Sequence, residues 1–169
     1  MKKITLLLLV LTFVLFYSCK SDDEDTNQDA TLVGTWKLTA FTTGATSDIN
    51  QDGNSTNNFL AETNNCYADG TLVFKTDNTV DNSGSYATIN ISNTTGTLTI
   101  TTTCDNDGTV ETNNWTQSGN NITVTDVGTG TLSGNTLTFT IPSGYDLPSI
   151  DSGVEAHTLT DITQVFTKQ

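Results

Sequence analysis

The sequence predicts an all-β chain, and three observations carry that expectation. From Thr31 onward apolar and polar residues alternate with a period of two. The stretches between the alternating segments are built from Asp, Asn, Ser and Gly, and helical spacing is almost absent. Alternation of this kind gives each strand one dry and one wet face, as in an antiparallel barrel or sandwich.

The strands follow in order. Trp36-Leu38-Ala40 alternate with Lys37-Thr39, and Leu72-Phe74 with Thr71 and Lys75. Leu98-Ile100 alternate with Thr97-Thr99-Thr101, Ile122-Val124 with Thr123-Thr125, and Leu137-Phe139-Ile141 with Thr136-Thr138-Thr140. Near the end of the chain Ile162, Gln164 and Phe166 share a face. Asp69-Gly70, Ser118-Gly119-Asn120-Asn121 and Ser133-Gly134-Asn135 supply turns, because these residues tolerate the backbone angles that tight hairpins need. Only Phe59 to Asn64 has the pattern for a turn or two of helix. Thr125 to Leu159, with Pro142 and Pro148, reads as strand, long loop and final strand.

The residues before Thr31 read as an address. Lys2 and Lys3 precede an almost unbroken apolar run from Ile4 to Tyr17, then small Ser18 and Cys19. The run is short of the roughly 20 residues a membrane span needs, so residues 1–18 are expected to be a signal peptide. Leu15-Phe16-Tyr17-Ser18-Cys19 resembles a bacterial lipobox, which implies that Cys19 is lipidated. Acyl chains such as palmitate contribute about 0.8 kcal/mol per buried CH₂ and anchor a protein without spanning.

Residues 19–30 are then an acidic tether headed by Cys19 and Lys20-Ser21-Asp22-Asp23-Glu24-Asp25. The run is either a solvated spacer or a sorting tag, similar to acidic export signals that carry lipoproteins to the outside of the outer membrane. The expected location is the outer membrane, lipid-anchored, facing the periplasm or the exterior.

Composition sets a problem for any folded reading. The 169 residues carry 6 basic and 19 acidic side chains, a formal charge of −13, and no arginine. That balance excludes nucleic acid as a partner, since phosphate binding needs clustered Lys and Arg. Without the signal peptide, Leu, Ile, Val and Phe make up only about a fifth of the chain, near the level at which charged chains stay disordered. Threonine on the outward positions offers part of the answer. It is β-branched and uncharged, so it favours strands without adding to the acidic repulsion.

Cysteine supplies the rest. With Cys19 given to lipid, Cys66 and Cys104 remain in a compartment that permits oxidation. A disulfide between them would close a loop of about 39 residues and contribute roughly 4 kcal/mol in the chain-entropy model. Two free thiols or a soft-metal pair is the rival reading, although two sulfurs and the distant His157 make a poor zinc site.

At this point the chain resembles a family. Leu32-Val33-Gly34-Thr35-Trp36-Lys37-Leu38 is similar to the opening Gly-x-Trp strand of the lipocalin-like domain of bacterial outer-membrane lipoproteins. The likeness continues through Asp48-x-Asn50-x-Asp52-Gly53, Leu60-x-Glu62-x-x-x-Cys66, Leu72-x-Phe74, Asp77-Asn78, Cys104, Trp115 and Val165-Phe166-Thr167-Lys168. It covers residues 31–169 and implies an up-and-down β-barrel of about eight strands, often with a ligand cavity at one mouth. One departure is Asp77-Asn78-Thr79 where the family would have Asp-Gly-Thr, which leaves the tightness of that hairpin open.

Asp48-Ile49-Asn50-Gln51-Asp52-Gly53-Asn54 has the opening of a calcium loop, with oxygens at alternate positions and glycine at the sixth. The candidate ligands are Asp48, Asn50, Asp52, the Asn54 carbonyl and Glu62 reaching back from the short helix. Phe59 stands at the twelfth position and cannot chelate, so affinity should be modest. The alternative is a polar Asx-turn loop with no ion. Catalytic residues are not expected. His157 lies in a polar stretch between Glu155 and Asp161 and reads as a solvated residue, and no glycine-rich phosphate cradle precedes a helix. Trp36 and Trp115 could form a sugar platform, although Trp36 reads first as core filling near a barrel end.

Three functional readings follow. The first is a lipid-anchored, non-catalytic, monomeric binding protein that holds a small apolar ligand, although the bulky inward Leu, Ile and Phe argue against a roomy cavity. The second is a cell-surface interaction protein whose acidic loops steer a cationic partner. The third is a carbohydrate-active enzyme built on two carboxylates. An apolar pocket of some 300 Å³ or more inside the barrel favours the first.

Overall fold

The computed structural model describes residues 31–169. The expected signal peptide (1–18), lipidated Cys19 and acidic tether (19–30) lie outside the described residues. The described chain is all-β, with strands β1 (Gly34–Ser47), β2 (Thr56–Asn58), β3 (Thr71–Phe74), β4 (Thr79–Ser83), β5 (Tyr86–Thr94) and β6 (Thr97–Asp105). They are followed by β7 (Glu111–Ser118), β8 (Asn121–Val124), β9 (Gly128–Ser133), β10 (Thr136–Asp151) and β11 (Val154–Lys168). One helical turn, α1 (Phe59–Glu62), and a 3₁₀ turn (Cys66–Asp69) lie between β2 and β3.

Eight antiparallel strands close a barrel in the order β1-β3-β4-β7-β8-β9-β10-β11, with β11 pairing back onto β1. Closure leaves the barrel wall without a free edge. β2 extends β1 beyond the wall, and β5–β6 form a separate hairpin inserted between β4 and β7. On the outside, threonine hydroxyls pair across strands at Thr39–Thr167, Thr123–Thr129 and Thr140–Thr163, so the wet face carries its own hydrogen bonds.

The lower end of the barrel, at the β7–β8 and β9–β10 turns, is filled. Trp36, Ile122 and Leu137 have no exposed surface and Phe74 and Phe139 almost none. Indole N–H groups find carbonyls within this packing, Trp36 Nε1 donating to Leu32 O at 2.7 Å and Trp115 Nε1 to Thr79 O at 3.0 Å. Both tryptophans are therefore core residues, Trp115 lying edge-on to Phe74. Gly130 is required here by close approach. A Cβ at that position would stand 2.8 Å from the Phe139 ring opposite it in the register.

Several sequence expectations change in detail. Ala40 does not continue the inward series after Leu38. A bulge between Leu38 and Ala40 turns Phe41 inward instead, and Phe41 is 4% exposed. Thr125 to Leu159 holds no long loop: β10 and β11 run as one extended hairpin turning at Ser152-Gly153. The prolines fit because Pro142 falls in the register shift between Ile141 and Tyr145, and Pro148 lies beyond the part of β10 that pairs with β9. The β3–β4 hairpin is tight despite lacking glycine. Asn78 takes the left-handed conformation at φ 63°, and Asp77 Oδ1 accepts from Thr79 N and Oγ1.

Candidate functional site

The upper end of the barrel is only partly closed. An aromatic cluster of Phe41, Phe59, Tyr67 and Tyr145, with ring centroids 4.8 to 5.7 Å apart, plugs the side beneath α1 and β10. Burial pushes the Tyr145 phenol up to about 12 and raises Tyr67 as well. Beside the plug a cleft of about 360 Å³ runs down into the barrel.

Strand alternation builds this cleft. Its apolar floor is Leu38, Leu72, Val80, Val124, Phe139 and Phe166, one inward residue or more from each of six strands. Higher on the same inward rows the side chains become polar: Asn82 above Val80 on β4, Asn113 and Glu111 above Trp115 on β7, and Gln164 before Phe166 on β11. The rim is the stretch Ser83 to Tyr86 together with Asp107 and Thr109, the two roots of the β5–β6 hairpin. The bulky residues that argued against a cavity fill the lower barrel and plug one side of the upper end. The row of inward amides leaves the upper part open.

Two contacts hold the rim. Cys66 of the 3₁₀ turn is bonded to Cys104 of β6, with Cα atoms 5.4 Å apart, so the predicted pair forms the disulfide. Next to it Asp69 accepts from Ser85 N at 2.8 Å, Ser85 Oγ at 2.7 Å and Asn106 Nδ2 at 3.3 Å, which ties both hairpin roots to one carboxylate. The Ser85 backbone bond above all holds the Asp69 carboxyl below the usual carboxylate range.

The 48–54 loop gathers some of the expected calcium ligands and not others. Asp48 accepts from Asp52 N and Gly53 N, Asn50 Oδ1 from Asp52 N, and Asp52 Oδ1 from Asn54 N, so Asp48, Asn50 and Asp52 turn toward one another. Glu62, 2% exposed, meets the loop at its backbone. Its Oε2 accepts from Ile49 N and Asn50 N, and its Oε1 from Thr56 N and Thr56 Oγ1. It braces the loop through the backbone from α1. Asn54 N donates to Asp52 Oδ1, while the Asn54 side chain makes no hydrogen bond among the described residues. No group of three or more His, Cys, Asp or Glu converges as a metal cage among the described residues. A second groove of about 380 Å³ borders this loop between Leu98, Ile100, Ile150, Asp48 and Asp151. It has fewer apolar walls than the barrel cleft.

His157 is exposed near the end of the β10–β11 hairpin, between Glu155 Oε1 and Asp146 Oδ2 at 3.1 Å each. The bond to Glu155, aided by Asp146, raises its pKa above the ordinary 6.5. A raised folded-state value means that the protonated pair stabilises the fold fully below about pH 6.5 and loses that effect as pH rises through the folded pKa. Proton NMR of the single imidazole should show a midpoint above 6.5 that falls back in Glu155→Gln. An unchanged midpoint in that variant would show that Glu155 is not the cause.

Fold and site together define a closed up-and-down β-barrel with a half-open, apolar-floored cleft at one end. No family model matches the chain, and no curated protein or solved structure matches it.

Proposed function

We propose that this protein is a lipid-anchored, non-catalytic binding protein that holds a small apolar ligand in the upper cleft of its barrel. One observation carries the reading: a barrel packed solid below opens above into about 360 Å³ with six apolar side chains on its floor. That volume is within the range of ligand sites, and the mix of apolar lining with a few polar groups is their usual chemistry. At about 30 Å³ per heavy atom it accommodates a molecule of roughly a dozen heavy atoms. The anchor rests on the Ser18-Cys19 motif and its preceding apolar run.

Native mass spectrometry of the protein from its own cells tests both parts. A retained small molecule together with acyl chains on Cys19 is the expected result. The companion test is Val127→Trp, which places an indole at the half-buried mouth of the cleft. Titration with an environment-sensitive apolar dye should show binding at least about tenfold weaker, about 1.4 kcal/mol, with the melting temperature unchanged. Equal dye affinity in the two proteins would place the apolar site somewhere else.

A further inference from the structure

The side chains around the cleft also bear on the head group of the proposed ligand. We infer that it takes an amphiphile whose polar end forms hydrogen bonds and bears no negative charge, so that carboxylate-headed lipids are rejected. The inference rests on the proposed ligand site and adds the charge selectivity of its mouth.

The walls come first. Asn82, Asn113 and Gln164 line the cleft above the apolar floor, and none of the three side chains has a protein hydrogen-bond partner among the described residues. Asn113 and Gln164 are half-buried. Half-buried amides without protein partners are satisfied by water or by a ligand, and each offers both a donor and an acceptor. A hydroxyl, amide or ammonium above the floor meets that set.

Charge then decides the sign. Asp107 and Glu111 line the lip of the cleft, and Asp69 stands directly behind Gly84 of the rim. Asp107 is an acceptor for Thr109 N at 2.8 Å, and that bond holds its carboxyl below the usual range. No basic side chain among the described residues lines the cleft. The chain has no arginine, and each described lysine lies elsewhere. Lys37 alternates outward from inward-facing Leu38, Lys75 is paired with Asp81 at 2.7 Å, and Lys168 sits by Thr31 and over Trp36 at the filled end. His157 is held between Asp146 and Glu155 on the long hairpin. An anionic head would thus meet a mouth whose charges among the described residues are all negative, with Asp107 and Glu111 exposed on its lip.

The test uses three probes of equal chain length, decanol, decylammonium and decanoate, titrated at pH 7.5 into the intact chain carrying Cys19→Ser, so that no acyl chain competes. The expected result is that decanol and decylammonium bind at least about tenfold more tightly than decanoate. In the Asp107→Asn/Glu111→Gln pair that ratio should shrink to within about twofold, with the fold intact by its melting temperature. Decanoate binding as tightly as decanol in the unaltered lip overturns the charge inference and leaves the apolar site standing. A preference that survives in the double variant overturns it too, because the carboxylates would not be its source. Binding of none of the three sinks the ligand-site reading itself.

Discussion

Reducing the Cys66–Cys104 bridge, or replacing both residues by alanine, is expected to remove about 4 kcal/mol of stability, the chain-entropy value for a closed loop of this size. For a domain of this length that corresponds to a fall in Tm of roughly 15 °C. The effect is large because the β5–β6 hairpin shares no ladder with the barrel wall. Besides the bridge, it is attached by its two roots, the Asp69 bonds, a Gln51–Ile100 contact at 3.1 Å and the inward packing of Ile89, Ile91 and Ile100. Thermal unfolding followed by circular dichroism with and without reductant checks the value. A loss under about 1 kcal/mol would show that apolar packing alone keeps the hairpin docked. Since the hairpin roots form the rim of the cleft, the reduced protein should also release a bound dye faster.

Glu62→Ala is the second large effect, a loss of about 3 kcal/mol. The substitution leaves the Ile49, Asn50 and Thr56 N–H groups without their acceptor, and a buried donor left unpaired costs more than the bond it lost contributed. Glu62→Gln keeps the shape and one acceptor oxygen, so it should cost about half as much. The decisive comparison is chemical denaturation of both variants in millimolar calcium and in chelator. Equal losses in the two buffers are the expected result, because Glu62 braces the loop through its backbone. If the loss occurs only with calcium present, and calorimetry of the unaltered protein gives a binding heat, Glu62 is a metal ligand instead.

Much of this fold is legible in the chain, and the failures have local causes. The inward series Leu72-Phe74, Ile122-Val124 and Leu137-Phe139 are buried as the alternation requires. β4, β7 and β9 were hard to see because their inward places hold Asn82, Asn113 and Gly130, which interrupt the apolar rhythm. β5 is masked differently: its inward Ala87, Ile89 and Ile91 are only half-buried and alternate with Thr, Asn and Ser. The same polar interruptions on β4 and β7 open the upper cleft, so the signal for the site was an absence of hydrophobic side chains where a barrel strand should have them. For Glu62 the composition of the loop suggested chelation. Its orientation in the structure depends on α1 carrying it beneath Ile49, 13 residues back in sequence.

What the amino-acid order determined alone is local: a period of two, and turn residues able to adopt left-handed angles. These follow from backbone sterics and the facing of successive side chains, which need no knowledge of distant neighbours. Only the tertiary structure decided that Phe41 replaces Ala40 inside, that β10 and β11 pair on both sides of Pro142, and that the barrel is solid below and partly open above. Those outcomes depend on how eight strands share one register around a closed wall and on whether the volumes they turn inward sum to a filled interior.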